Sequence, residues 1–134
     1  MSEMDIIRKW FEKAEDDLIV ATHVFENLYP KQIEISCYHA QQAVEKVLKG
    51  FLIHSDVDAP KSHNLVALCQ LCSNQNESFS AFMAVCAELT PYGVMLRYPN
   101  SSDISEEKAR MALRAAKEIY DVVVSLIPGL TRPE

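Results

Sequence analysis

From Met4 to Leu28 the chain reads MDIIRKWFEKAEDDLIVATHVFENL. Met4, Ile7, Phe11, Ala14, Leu18, Ala21, Phe25 and Leu28 recur at spacings of 3, 4, 3, 4, 3, 4 and 3. That is a single apolar seam along a helix of about seven turns. Asp5, Arg8, Lys9, Glu12, Lys13, Asp16 and Asp17 fill the other face, so the helix is amphipathic. Tyr29-Pro30 ends it, because the residue before a proline is pushed out of the helical region.

The same period continues outward. Ile33, Cys37, Ala40, Val44, Val47 and Phe51 form the seam of a second helix over about Gln32–His54. Gln41, Leu48 and Leu52 widen its apolar sector, so more than one neighbour is expected against it. Ser55 to Ser62 reads as a loop. A short third helix over about His63–Ser73 turns Leu65, Leu68, Cys69 and Cys72 inward. A fourth carries Phe79, Phe82, Cys86 and Leu89 and stops before Pro91. Tyr92–Asp103 has no clean period and reads as an irregular connection. Ser105 caps the last helix, with Glu106 and Glu107 in its first turn and a seam of Ala109, Ala112, Leu113, Ala116, Tyr120, Val123 and Ile127. Short connections make sequential helices antiparallel. The expectation is an all-α, antiparallel up-and-down bundle of about five helices, in a single domain over residues 1–134.

Composition agrees with that architecture. Only 3 glycines occur in 134 residues, too few for a sandwich or barrel rich in turns. The 49% apolar content excludes intrinsic disorder, and no run is long enough for a membrane span. The polar start Met1–Arg8 is no signal peptide, so a cytoplasmic protein is expected. A net charge of −6 argues against a diffuse basic surface and confines any nucleic-acid contact to a local site.

Most site chemistries find no support. Cys37, Cys69, Cys72 and Cys86 continue apolar stripes, and the one C-x-x-C lacks the partners of a zinc site. No histidine follows a glutamate at di-iron spacing, and no glycine-rich phosphate loop exists. Neither metal nor cofactor is expected. What remains is a polar set on one side of the second helix: His39, Gln42, Glu45, Lys46 and Lys49. A solvated face with one Glu–Lys pair accounts for it. So does a groove that binds a phosphate-bearing ligand through its lysines. Arg97-Tyr98-Pro99 favours the groove, since an arginine fork grips phosphate and a tyrosine face stacks a base. Alternatively Tyr98 packs its loop and Arg97 pairs with an acid such as Asp17 or Glu45.

At these residues the sequence resembles the HEPN family of small helical domains. Trp10 with Ala14-Glu15-Asp16-Asp17-Leu18 is similar to the family's first helix, and Cys37 through Lys49 to its hallmark second helix. Lys61-Ser62-His63-Asn64-Leu65 resembles the start of its third helix, and Tyr92 through Pro99 the segment before its last. The resemblance implies a bundle that is commonly dimeric and takes nucleotide or RNA. It also implies a toxin–antitoxin or defence setting beside a nucleotidyltransferase protein. On it the ligand-binding set is Arg97, Tyr98, His39, Lys46, Lys49, Gln42 and His63.

Many relatives are metal-independent ribonucleases with an arginine and a histidine separated by four to six residues. Here Ser102, Asp103 and Ile104 stand at those spacings after Arg97, and no other arginine has such a histidine. The expectation is therefore a non-catalytic binding protein. A ribonuclease with a displaced histidine (His39 or His63) and a dimerisation module without ligand are the alternatives.

A homodimer is expected, because Trp10, Ile19 and Val20 lie off the first seam, and Leu48, Leu52 and Ile53 widen the second. Sedimentation at micromolar concentration should give twice the 15.2 kDa chain mass. A value at the chain mass would contradict the dimer.

Overall fold

The computed structural model describes residues 1–94 and 104–130. Five α-helices follow one another: α1 (Glu3–Asn27), α2 (Ile33–His54), α3 (Leu65–Gln75), α4 (Met83–Leu89) and α5 (Glu106–Leu126). Among the described residues there is no strand, and no helix is long and apolar enough to cross a membrane. The all-α bundle is as the sequence implies.

Helix α2 is its axis. It packs against α1, α5, α3 and α4, and Cys37, Ala40, Ala43, Val44, Val47, Leu48 and Leu52 are fully buried along it. The wide apolar sector thus has the several neighbours expected of it. Ile7, Phe11, Ala14, Ala21 and Phe25 face it from α1, and Ala109, Ala112, Ala116, Ile119 and Val123 are the buried residues of α5. Ile119 joins them from outside the expected α5 seam. Phe79 closes the lower core against Phe51, with ring centroids 4.5 Å apart.

Local chemistry sets the helix ends. The Ser2 hydroxyl accepts from the Asp5 amide, and the Asp5 carboxylate accepts from the Ser2 amide, a reciprocal cap on α1. Its far end closes at Asn27, one residue short of Leu28, which is extended and 43% exposed rather than on the seam. Lys31 donates to the Phe25 carbonyl at 2.7 Å and lies over the Phe25 ring, supplying positive charge where the last carbonyls need it. Helix α3 begins at Leu65, not His63, because the Asn64 side chain takes the amides of Val66 and Ala67. Ser105 caps α5 by accepting from the Lys108 amide, as expected.

The fourth helix departs from a single continuous rod. Glu77–Phe82 is a 3₁₀ segment capped by Asn76, and Met83–Leu89 alone is α-helical. Phe79 and Phe82 are three apart, so a helix of three residues per turn puts both rings on one side, edge to face at 6.2 Å. Pro91 does not end helical structure either. It opens a second 3₁₀ turn, Thr90–Gly93, where a missing N–H costs nothing. The inward set Phe79, Phe82, Cys86 and Leu89 is buried as expected.

All four thiols are free and buried on helix seams. Burial, helped by Glu34, pushes the Cys37 thiol up to about 11. Burial raises Cys72 further, and Cys86 is raised by its hydrogen bond with Cys69 and by burial. Thiols held protonated in this way pack as small apolar side chains.

Leu48 and Leu52 require a correction. Both are fully buried within one chain, so neither is available to a second copy. Leu48→Ala should therefore cost about 2–5 kcal/mol of stability in urea denaturation. A loss under about 1 kcal/mol, the size typical of surface changes, would return Leu48 to the surface.

Candidate functional site

The polar residues of α2 occupy a strip between two acids. On the α1 side, Asp17 accepts from His39 Nδ1 at 2.9 Å through one oxygen and from Lys46 Nζ at 2.6 Å through the other. On the α3 side, Glu45 accepts from His63 Nδ1 at 2.9 Å and from Lys49 Nζ at 3.0 Å. Gln41 donates to Glu45 at 3.3 Å and to the His63 carbonyl at 3.3 Å, and Gln42 donates to Gln41 Oε1 at 2.7 Å. Helical spacing explains the layout. His39 and Lys46 are seven residues apart and lie over α1, whereas Gln41 and Glu45, four apart, turn toward the loop before α3.

Burial makes the pairing obligatory. The Glu45 side chain is 8% exposed and that of Lys49 12%, so either charge alone would be costly. Burial alone would raise the Glu45 carboxyl. The hydrogen bonds from His63, Lys49 and Gln41, with the Lys49 charge, outweigh burial and hold it below the usual carboxylate range.

The histidines are oriented by the same contacts. A carboxylate only accepts, so Nδ1 of both His39 and His63 carries the proton given to its acid. In the neutral ring Nε2 is then the basic nitrogen, and among the described residues it makes no hydrogen bond in either histidine. His63, with a side chain 67% exposed, offers that atom to solvent.

Gly93 fixes the approach of the chain beyond α4. A Cβ there would lie 2.9 Å from Gln41 Cδ, so with any larger residue the Gln41 amide would have to shift. Arg97 follows four residues later in the sequence. Arg97 and Tyr98 lie outside the described residues. The structure brings the other five sequence-derived positions together: His39, Lys46, Lys49, Gln42 and His63. Sequence reasoning left the orienting role of Asp17 and Glu45 unassigned and read Gln41 as part of the apolar sector. The available signal was a glutamine in a seam four residues before a glutamate, an i,i+4 pair able to share hydrogen bonds. Among the described residues no three His, Cys, Asp or Glu side chains are grouped to hold a metal ion.

The Glu45 contacts have a pH signature. Its carboxyl is more acidic folded than unfolded, so its stabilisation is complete above the unfolded value of about 4.3 and fades as pH falls through the lower folded value. Glu45→Gln should lose about 3 kcal/mol at neutral pH, the lower end for a buried charge left without its partner. Its stability should fall less steeply than that of the unaltered chain below about pH 4.3. Urea denaturation across that range checks both, and parallel acid limbs would contradict the assignment.

Comparison with known proteins agrees with this architecture. The HEPN domain family model matches residues 7–127. The crystal structure of an archaeal HEPN homologue superposes with a TM-score of 0.69 at 23% identity, covering 90% of this chain and 97% of that one. No curated protein matches. With the family model spanning all five helices and the fold matched over nearly its whole length, the chain belongs to the HEPN family.

Proposed function

We propose that this protein binds nucleotide or RNA on the α2 strip, without catalysing a reaction, as one HEPN-like domain spanning the chain. Family membership supports a nucleotide- or RNA-related role in general. The observation that carries the particular reading is the convergence of His39, Gln42, Lys46, Lys49 and His63 on one strip, beside the turn that leads toward Arg97. The charges within the strip are balanced, since Asp17 and Glu45 each take a lysine. The strip therefore contributes oriented donors, and net positive charge for a phosphate comes from Arg97. A guanidinium stays charged at physiological pH and holds two phosphate oxygens at once.

The wider setting in this proposal is a cytoplasmic homodimer acting with a nucleotidyltransferase protein in a toxin–antitoxin or defence-type system. Ile19 at 59% exposure and Val20 at 39% support an apolar contact on α1. A ribonuclease with a displaced histidine is the second reading, favoured by one observation. The Nε2 of His39 or His63 is a carboxylate-oriented base of the kind that could take a proton from a ribose 2′-hydroxyl.

Arg97→Ala should weaken binding of a nucleoside triphosphate or a short single-stranded RNA by about 1.5–3 kcal/mol, the range for hydrogen bonds to charged groups. Its melting temperature should be unchanged. If affinity holds and the melting temperature falls instead, Arg97 is a structural residue and the strip is left with only its lysines.

A further inference from the structure

A hollow of about 340 Å³ opens between α1 and α2, lined by Met1, Ile6, Lys9, Trp10, Lys13 and Lys46. Ile6, Lys9, Trp10 and Lys13 stand at i, i+3, i+4 and i+7, one face of α1, and Lys46 reaches in from α2. Gly50 lets α2 approach α1 closely here, since a Cβ would come within 3.3 Å of Trp10 Cβ and 2.7 Å of the Phe11 ring. Trp10 is half-buried and keeps part of its indole open to the hollow.

Three of the six residues lining the hollow are lysines, with Asp17 on Lys46 and Asp5 near Lys9 as their neighbouring acids. Lys9 and Lys13 are exposed and hold no salt bridge among the described residues, while Lys46 spends its charge on Asp17. The opposite flank of α1 has the reverse character: the hollow toward α5 is lined by Glu15, Glu26 and Asp121 against Lys117 and His23. An acidic protein has thus gathered cations and its one tryptophan on the flank that adjoins the α2 strip. A basic rim over an aromatic floor is the chemistry that holds a nucleobase by stacking and its phosphates by charge. The volume lies near the lower end for small-ligand sites, room for one base and too small for a partner helix.

We propose that this hollow is a base-stacking subsite for single-stranded RNA, continuous through Lys46 with the α2 strip. The inference rests on the nucleotide or RNA reading above and narrows it to a polymer with two contact points. One nucleotide lies at His39, Gln42 and Lys49, and a neighbouring base lies on Trp10 with its phosphates toward Lys9 and Lys13.

The sole tryptophan is its own reporter. The full chain is titrated with an end-labelled oligouridylate of about eight nucleotides, within the site sizes of single-strand binders, following label anisotropy and Trp10 emission together. Emission should change with the anisotropy midpoint, and Trp10→Leu should weaken binding about five- to a hundredfold. The double variant Lys9→Gln, Lys13→Gln touches no core residue. It should keep the fold, weaken binding and shrink the slope of log affinity against log salt by about 1.4, or ~0.7 for each phosphate no longer neutralised.

RNA binding with unchanged emission and a double variant of unaltered affinity would overturn the subsite and leave the wider reading standing. Binding of a nucleoside triphosphate without RNA would do the same. No binding of either ligand would overturn both. Emission changes with anionic phospholipid vesicles but not with RNA would assign the hollow to a membrane surface instead.

Discussion

Glu45 brings a full negative charge into a nearly closed part of α2. A carboxylate there is tolerable only if its oxygens are hydrogen-bonded and its charge is met. Three donors meet it: Lys49 from one turn on, Gln41 from one turn back, and His63 from the loop before α3. Because His63 comes from outside the helix, satisfying Glu45 also fixes where the loop lands. Because Gln41 also bonds the His63 carbonyl, the loop is held at both backbone and side chain. The second 3₁₀ turn then passes Gln41 closely at Gly93, which has no Cβ to displace its amide. The loop before α3 and the second 3₁₀ turn thus both pack onto the one buried acid and its glutamine.

Asp17 performs the matching task on the other edge, with a difference that matters chemically. It is less deeply buried than Glu45 and is shared by two side chains that both remain accessible. The strip is thus graded. Its Glu45 edge is closed apart from the exposed His63 ring, and its Asp17 edge is the more open of the two.

How much of this was legible in the sequence depends on the range of the interaction. Periodicity reports what a residue does relative to its own helix axis. It therefore identified Phe79, Phe82, Cys86 and Leu89 as inward even though part of that segment is 3₁₀ rather than α-helical. It failed at Leu28, where the helix ended one residue early, and it could not say that Leu48 and Leu52 are covered within one chain rather than by a second copy. The polar strip was legible as a set of residue types on one helix side. Its carboxylate pairings were not, since they join residues 22, 29 and 18 positions apart. Nothing in the spacing of Asp17 or His63 announces those bonds.

Helix α1 shows how a modest amphipathic sequence can carry more than a core face. Its seam is spent on α2, as any surface helix would spend it. The residues just off the seam divide by flank. Glu15 accepts from the Tyr120 hydroxyl toward α5, whereas Trp10 and Asp17 lean toward α2. Rotation by about 100° per residue keeps these flanks distinct along the helix. Acids can therefore dominate one groove while lysines border the other, within a chain whose net charge is −6. Net charge describes such a protein at distances beyond about 8–10 Å, where salt screens the details. At contact distance a ligand meets only the groove it enters, and three of the six residues lining the hollow between α1 and α2 are lysines.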